Sequence, residues 1–151
     1  MARTDVRKIK QAVKVECPIP GFRDEWHLIR PSTREVLANV RDKSQVKEWD
    51  RGALVEKSDP HLFDQEYLDY IWAGWSDTVE IQHADGTIES PAAPTLANKM
   101  ELANNRPIDF LLWLQATANE LAVAVHHQQE EQRDTFQEPH SLPPGPPESQ
   151  L

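Results

Sequence analysis

The side chains in this chain that could do chemistry are few, and their spacing argues against it. His126 and His127 are adjacent. Neighbours on a helix project about 100° apart, so the two cannot grip one metal ion from one face. The ligand spacing of a zinc site is missing, and the pair reads as solvated histidines near a helix end, where positive charge suits the helix dipole. Asp59, Asp64, Glu66 and Asp69 gather carboxylates in a short stretch. General acid and base work needs two of them to face one substrate. Asp64 and Glu66 do not share a helical face, and no nucleophile or phosphate loop lies nearby, so a solvated helix surface is expected. Cys17 is the only cysteine. It excludes an internal disulfide and a multi-cysteine zinc site, fits a reducing cytosol, and in a strand acts as a small apolar residue. The expectation is a non-enzyme with no catalytic, metal or cofactor residues, whose function comes from surfaces.

The surface that stands out is a helix from Pro107 to Val125, in which 13 of 19 residues are apolar. A helix that hides one face shows an apolar stripe at i, i+3, i+4 and i+7, whereas the first turns here are apolar all round. That pattern predicts a binding surface. The length approaches that of a membrane span, but Asp109, Gln115, Thr117, Asn119 and Glu120 would lie in hydrocarbon, so no membrane insertion is expected. Tryptophan is enriched in cores and at interface hot spots alike. Of the five, Trp26, Trp49 and Trp72 are assigned to the core, and Trp75 and Trp113 to an interface. The candidate partner-binding residues are Trp75, Ile108, Leu111, Leu112, Trp113 and Leu114, with Ala116 to Val125 packing on a neighbouring helix.

Charge is distributed unevenly. Residues 1–58 carry 13 Lys and Arg against 9 Asp and Glu, a net of +4, while the remainder carries 3 against 16, a net of −13. The larger part repels nucleic acid, and the dipolar chain suits self-association or a basic partner. Arg3, Arg7, Lys8, Lys10 and Lys14 could meet phosphates, but no aromatics are interleaved for base stacking, so nucleic acid is not the expected partner. No apolar run follows them, so they do not open a secretory signal.

These surfaces need elements to carry them. Val13, Val15 and Cys17 alternate with Lys14 and Glu16, and Trp26 and Leu28 with Glu25 and His27, predicting a hairpin over 12–30 with the apolar set facing inward. Ser32 and Glu35 form a capping box for a helix from Thr33 with Val36, Leu37 and Val40 on its stripe, and Trp49 is placed to close over the hairpin. Residues 50–58 read as irregular, with room for an extra strand at Leu54 and Val55. Asp59 and Pro60 start a helix that Gly74 stops. Val79 and Ile81 pair with Ile88 across an Asp85–Gly86 turn. Thr95 caps a short helix to Asn104, Asn105 caps the next, and the long helix runs to about Gln132. With 151 residues, 12 prolines and a mean hydropathy of −0.66, the chain is read as a flexible basic arm (1–10), one α+β domain (11–133) and a disordered Pro-rich tail (134–151). The fold class is α+β, a small N-terminal hairpin sheet packed on several helices with a long C-terminal helix.

One order of landmarks resembles a known family. It runs from Trp26-His27-Leu28-Ile29-Arg30-Pro31-Ser32-Thr33, through an acidic helix ending in Trp72-Ala73-Gly74-Trp75, the Asp85–Gly86 hairpin and the Pro94–Thr95 step, to Arg106-Pro107-Ile108-Asp109-Phe110-Leu111. This order resembles the tail assembly chaperones and related accessory proteins of long-tailed bacteriophages. The resemblance implies a protein without enzymatic activity that works in the host cytoplasm. Such a protein coats the aggregation-prone tape measure protein while tail tube protein polymerises around it, in some members also as a longer frameshifted product. A virion component such as a tail terminator, connector or decoration protein would show similar elements. A nucleic-acid-associated regulator using the basic arm is the reading from another class.

Overall fold

A computed structural model of the protein describes residues 11–141, with side chains to Glu131. The expected basic arm and the last ten residues of the Pro-rich tail lie outside the described residues.

Alternating Val13 and Val15 form β1 (Val13–Glu16), which pairs antiparallel with β2 (Trp26–Ile29), Val13 opposite Ile29 and Glu16 opposite Trp26. The hairpin is thus as expected, but β2 faces the other way. His27 and Ile29 are fully buried, while Trp26 and Leu28 are half-exposed. A one-residue change of phase moves a strand's whole set of side chains to the opposite face. In β2 the hydrogen bonds made by His27 decide the phase.

Thr33 rather than Ser32 caps α1 (Arg34–Lys43), its hydroxyl accepting from the Val36 amide. The Ser32 hydroxyl instead accepts from Tyr67 Oη. The segment read as irregular belongs to a regular hairpin, in which β3 (Gln45–Asp50), a strand not expected from the sequence, pairs with β4 (Ala53–Ser58), the extra strand expected at Leu54 and Val55. Its two-residue turn, Arg51 and Gly52, takes φ values of 53° and 81°, the doubly left-handed geometry that matches the twist of the flanking strands. Trp49 lies opposite Leu54 on this ribbon and is 75% exposed. Its assignment to the core is therefore corrected: the hairpin carries it away from the sheet.

Asp59 caps α2 (Pro60–Ile71) as expected, accepting from the His61 and Leu62 amides. The helix ends three residues before Gly74, because Trp72–Trp75 forms β5, the third strand of a β1-β2-β5 sheet. Aromatic residues suit a strand buried between a helix and its neighbours. Gly74 lies opposite Leu28 in the β2–β5 pairing. The Asp85–Gly86 hairpin forms as β6 (Ile81–Gln82) and β7 (Ile88–Glu89).

Thr95 caps α3 (Leu96–Asn105). Asn105 is its last residue, donating back to the Glu101 carbonyl, and does not cap the next helix. The long helix α4 (Ile108–Ser141) extends past the expected end near Gln132, since the Gln- and Glu-rich stretch from Gln128 contains no breaker before Pro139. The molecule is α+β: among the described residues it has small antiparallel sheets and four helices, of which the last is long, with α4 laid across β2 and α2. The core where they meet comprises Ile29, Ile71, Trp72, Phe110, Leu114 and Ala118, all fully buried.

Candidate protein-binding surface

Helix α4 carries two apolar faces. Phe110, Leu114, Ala118 and Val125 are buried, with Leu111, Trp113 and Leu121 packed partly against the core. At about 100° per residue the four buried side chains and Leu121 lie on one flank of the helix. Ile108, Leu112 and Val123 fall on the opposite flank, together with Ala116, and are 64%, 53% and 54% exposed. Helix Ile108–Glu131 is long and apolar enough by length and composition to cross a membrane, yet only 28% of its most apolar window is buried. The core uses one stripe and leaves open a second one, which exposed Asn119 interrupts between Ala116 and Val123, whereas a soluble helix with a single partner keeps its outer face polar.

The expected binding residues divide between the two faces. Ile108 and Leu112 are on the open stripe. Leu111 and Trp113 are intermediate, their side chains turned toward the core. Trp75 and Leu114 are corrected to core residues. Leu114 is fully buried, and Trp75 is 8% exposed with its indole donating to the Ala92 carbonyl at 2.7 Å, which ties down the Pro91–Pro94 loop. The helical wheel could have found this split, because Leu114 shares its phase with Phe110 and Leu121 while Leu112 shares that of Ile108. Half-buried Ala122 and exposed His126, with Val123, also line a groove of about 470 Å³ against Ser32–Glu35 at the start of α1.

The densest polar cluster is internal, and residue spacing gives no sign of it. His27 is fully buried, ringed by Trp72, Trp75, Phe110 and Trp113. The Trp72 indole N–H can only donate, and it lies 3.0 Å from His27 Nδ1. Nδ1 is therefore the acceptor, and Nε2 carries the proton that it donates to Glu25 Oε1 at 3.0 Å. Glu25 is held in turn by both Arg106 guanidinium nitrogens, at 2.6 and 2.8 Å. The guanidinium lies over the rings of Phe22 and Phe110. Burial pushes the His27 pKa below its ordinary value against the pull of Glu25. The Glu25 pKa is lowered: burial alone would raise it, but His27 and Arg106 outweigh that effect. With Nδ1 occupied and Nε2 donating, the ring has no free lone pair to act as base or ligand. The cluster instead joins β2, β5 and the α3–α4 junction, setting the azimuth at which α4 presents its outer stripe.

Of the carboxylate group, Asp64 is exposed and Glu66 half-buried on α2, while the other two are committed to structure. Asp59 is a helix cap, and Asp69 pairs with buried Lys99 at 2.8 Å, holding α3 on α2. Burial raises the Cys17 thiol pKa, keeping it protonated. His126 is 67% exposed and pairs with Glu130. Among the described residues no group of three or more His, Cys, Asp or Glu is placed to hold a metal ion. Comparison with protein-family models, with curated proteins and with solved structures gives no match.

Proposed function

We propose that the chain is a non-enzymatic morphogenesis protein of a long-tailed bacteriophage, a tail assembly chaperone that holds apolar helical segments of the tape measure protein in the host cytoplasm until tail tube protein encloses them. The supporting observation is the second apolar stripe of α4, Ile108, Leu112, Ala116 and Val123, held outward by a core that uses only the opposite face. A helical partner laid on such a stripe buries its own apolar face, which is the helix-in-groove mode of recognition. The order of landmarks resembling the phage proteins supplies the identity of that partner. The acidic charge beyond residue 58 would keep the complex soluble.

Co-expression with fragments of a phage tape measure protein encoded beside this chain tests the proposal. Capture of those fragments by the wild type, lost in Ile108→Asp/Leu112→Asp with the fold retained by circular dichroism, is the expected result. Leu111 and Trp113 are poorer targets because they touch the core. A wild type that captures no fragment refutes the chaperone reading. Stoichiometric copies in purified mature particles would assign the chain to the virion instead.

A further inference from the structure

The charges that α4 itself sets beside its open stripe are of one sign, while Arg34 of α1 lines the groove at the Val123 end. Between Pro107 and Glu131 the helix has Asp109, Glu120, Glu130 and Glu131 and no Lys or Arg. Asp109 and Glu120 are exposed and have no ion-pair partner among the described residues. They are 11 residues apart, which is three turns and about 16 Å along the axis, so both lie along the same border of the stripe. We propose that the stripe is a docking site for one class of partner: an amphipathic helix with apolar residues at four-residue spacing and Lys or Arg about 11 residues apart on one flank. The proposal rests on the helix-binding reading above and names the chemistry of its partner.

Charge decides between this occupant and the others. A second copy docking stripe to stripe would set carboxylates against carboxylates with no base on either helix, and like charges across an interface oppose association. An anionic lipid surface meets the same repulsion. A basic helix gains two ion pairs at the rim while Ile108, Leu112 and Val123 lose water at the centre, the arrangement of an apolar core and polar rim seen in interfaces generally.

The test uses the whole protein and two synthetic helices of about 18 residues, five turns, with identical Leu and Ala faces. One carries Lys at two positions 11 residues apart, the spacing of Asp109 and Glu120, and the other carries Glu at the same positions. The wild type should bind the Lys peptide more tightly by about tenfold, since each exposed pair changes affinity by roughly two- to fivefold, and the preference should shrink at about 1 M salt. Asp109→Lys/Glu120→Lys should reverse it, and Leu112→Asp should abolish binding of both peptides. Equal binding of the two peptides, no binding of either, an unreversed preference in the double variant, or concentration-dependent dimerisation lost in Leu112→Asp would each overturn the proposal. Its failure is separable from that of the chaperone reading. Tape measure fragments captured without any effect of charge reversal refute only the basic partner. A selective Lys peptide with no captured fragment refutes only the phage partner.

Discussion

Protonation of His27 should be the main way that mild acid loosens this fold. In the folded state Nδ1 faces the Trp72 indole N–H at 3.0 Å. A proton there would set two donors head to head inside a shell of aromatic rings. Burial already holds the folded pKa below the ordinary 6.5, whereas the unfolded chain titrates near that value. Between the two pKa values the unfolded state binds more protons, so stability rises with pH. His27's contribution is complete above about pH 6.5 and is lost as pH falls below it, at a slope approaching about 1.4 kcal/mol per pH unit. Glu25 adds the same sign later: its folded pKa is lowered from 4.5, so its contribution is lost only as pH falls below that value.

His27→Gln isolates the effect. Its amide can accept from Trp72 and donate to Glu25 without titrating. Urea unfolding at steps from about pH 7.5 to about pH 5.5 should show the wild type losing more stability than the variant, at no more than about 1.4 kcal/mol per pH unit, even if the variant starts less stable because of imperfect packing. Nitrogen shifts of the imidazole should report the Nε2–H tautomer throughout. A variant whose stability falls with pH as steeply as the wild type's would refute the assignment, and so would an Nδ1–H tautomer.

The remaining predictions address other contacts. Arg106→Met should cost about 3–5 kcal/mol in urea unfolding, because it leaves the buried Glu25 carboxylate without its guanidinium. Adding Glu25→Gln to that variant should recover part of the loss. His83 should oppose His27 in sign: Glu89, at 3.0 Å, and Glu101 raise its pKa, so its stabilisation is full below about pH 6.5 and lost as pH rises through the higher folded value. Protection factors of the β6–β7 amides, corrected for the intrinsic base-catalysed exchange rate, should accordingly fall toward alkaline pH in the wild type and not in His83→Ala. Leu114→Ala should cost about 2–5 kcal/mol and Leu112→Ala less than about 0.5 kcal/mol, although the two lie within one turn of the same helix. Equal losses would mean that the two faces of α4 are misassigned.

The parts of this fold that are legible in the sequence are those fixed by local chemistry. Asp59 and Thr95 cap helices because each offers an oxygen to amides that no neighbour can satisfy. The Asp85–Gly86 turn needs a left-handed residue, which glycine supplies at a φ of 89°. The features that sequence does not reveal depend on distant partners. The inward phase of β2 is set by Trp72, 45 positions from His27, and by Arg106, 81 positions from Glu25. An alternating strand with His27 on one face and Trp26 on the other favours burying tryptophan until those partners are known. Trp72–Trp75 reads as a helix end because Gly74 closes a helical pattern. It becomes a strand only because β2 offers an open edge. Hydrophobicity likewise does not reveal that Trp49 projects on a ribbon away from the core.

The α4 stripe combines both kinds of information. Its excess of apolar residues is plain from composition, and periodicity divides them into two faces. Which face is spent depends on the cluster around His27, since Phe110 and Trp113 pack on that ring from the first turns of α4. Rotating the helix by one residue would carry Leu114 off the core and pull Arg106 from Glu25, at the cost of a buried charge. The internal network therefore does for the proposed binding surface what a second layer of residues does for an active site: it fixes the azimuth of Ile108 and Leu112 from inside the fold. Weakening the network should accordingly impair docking even when the stripe itself is intact.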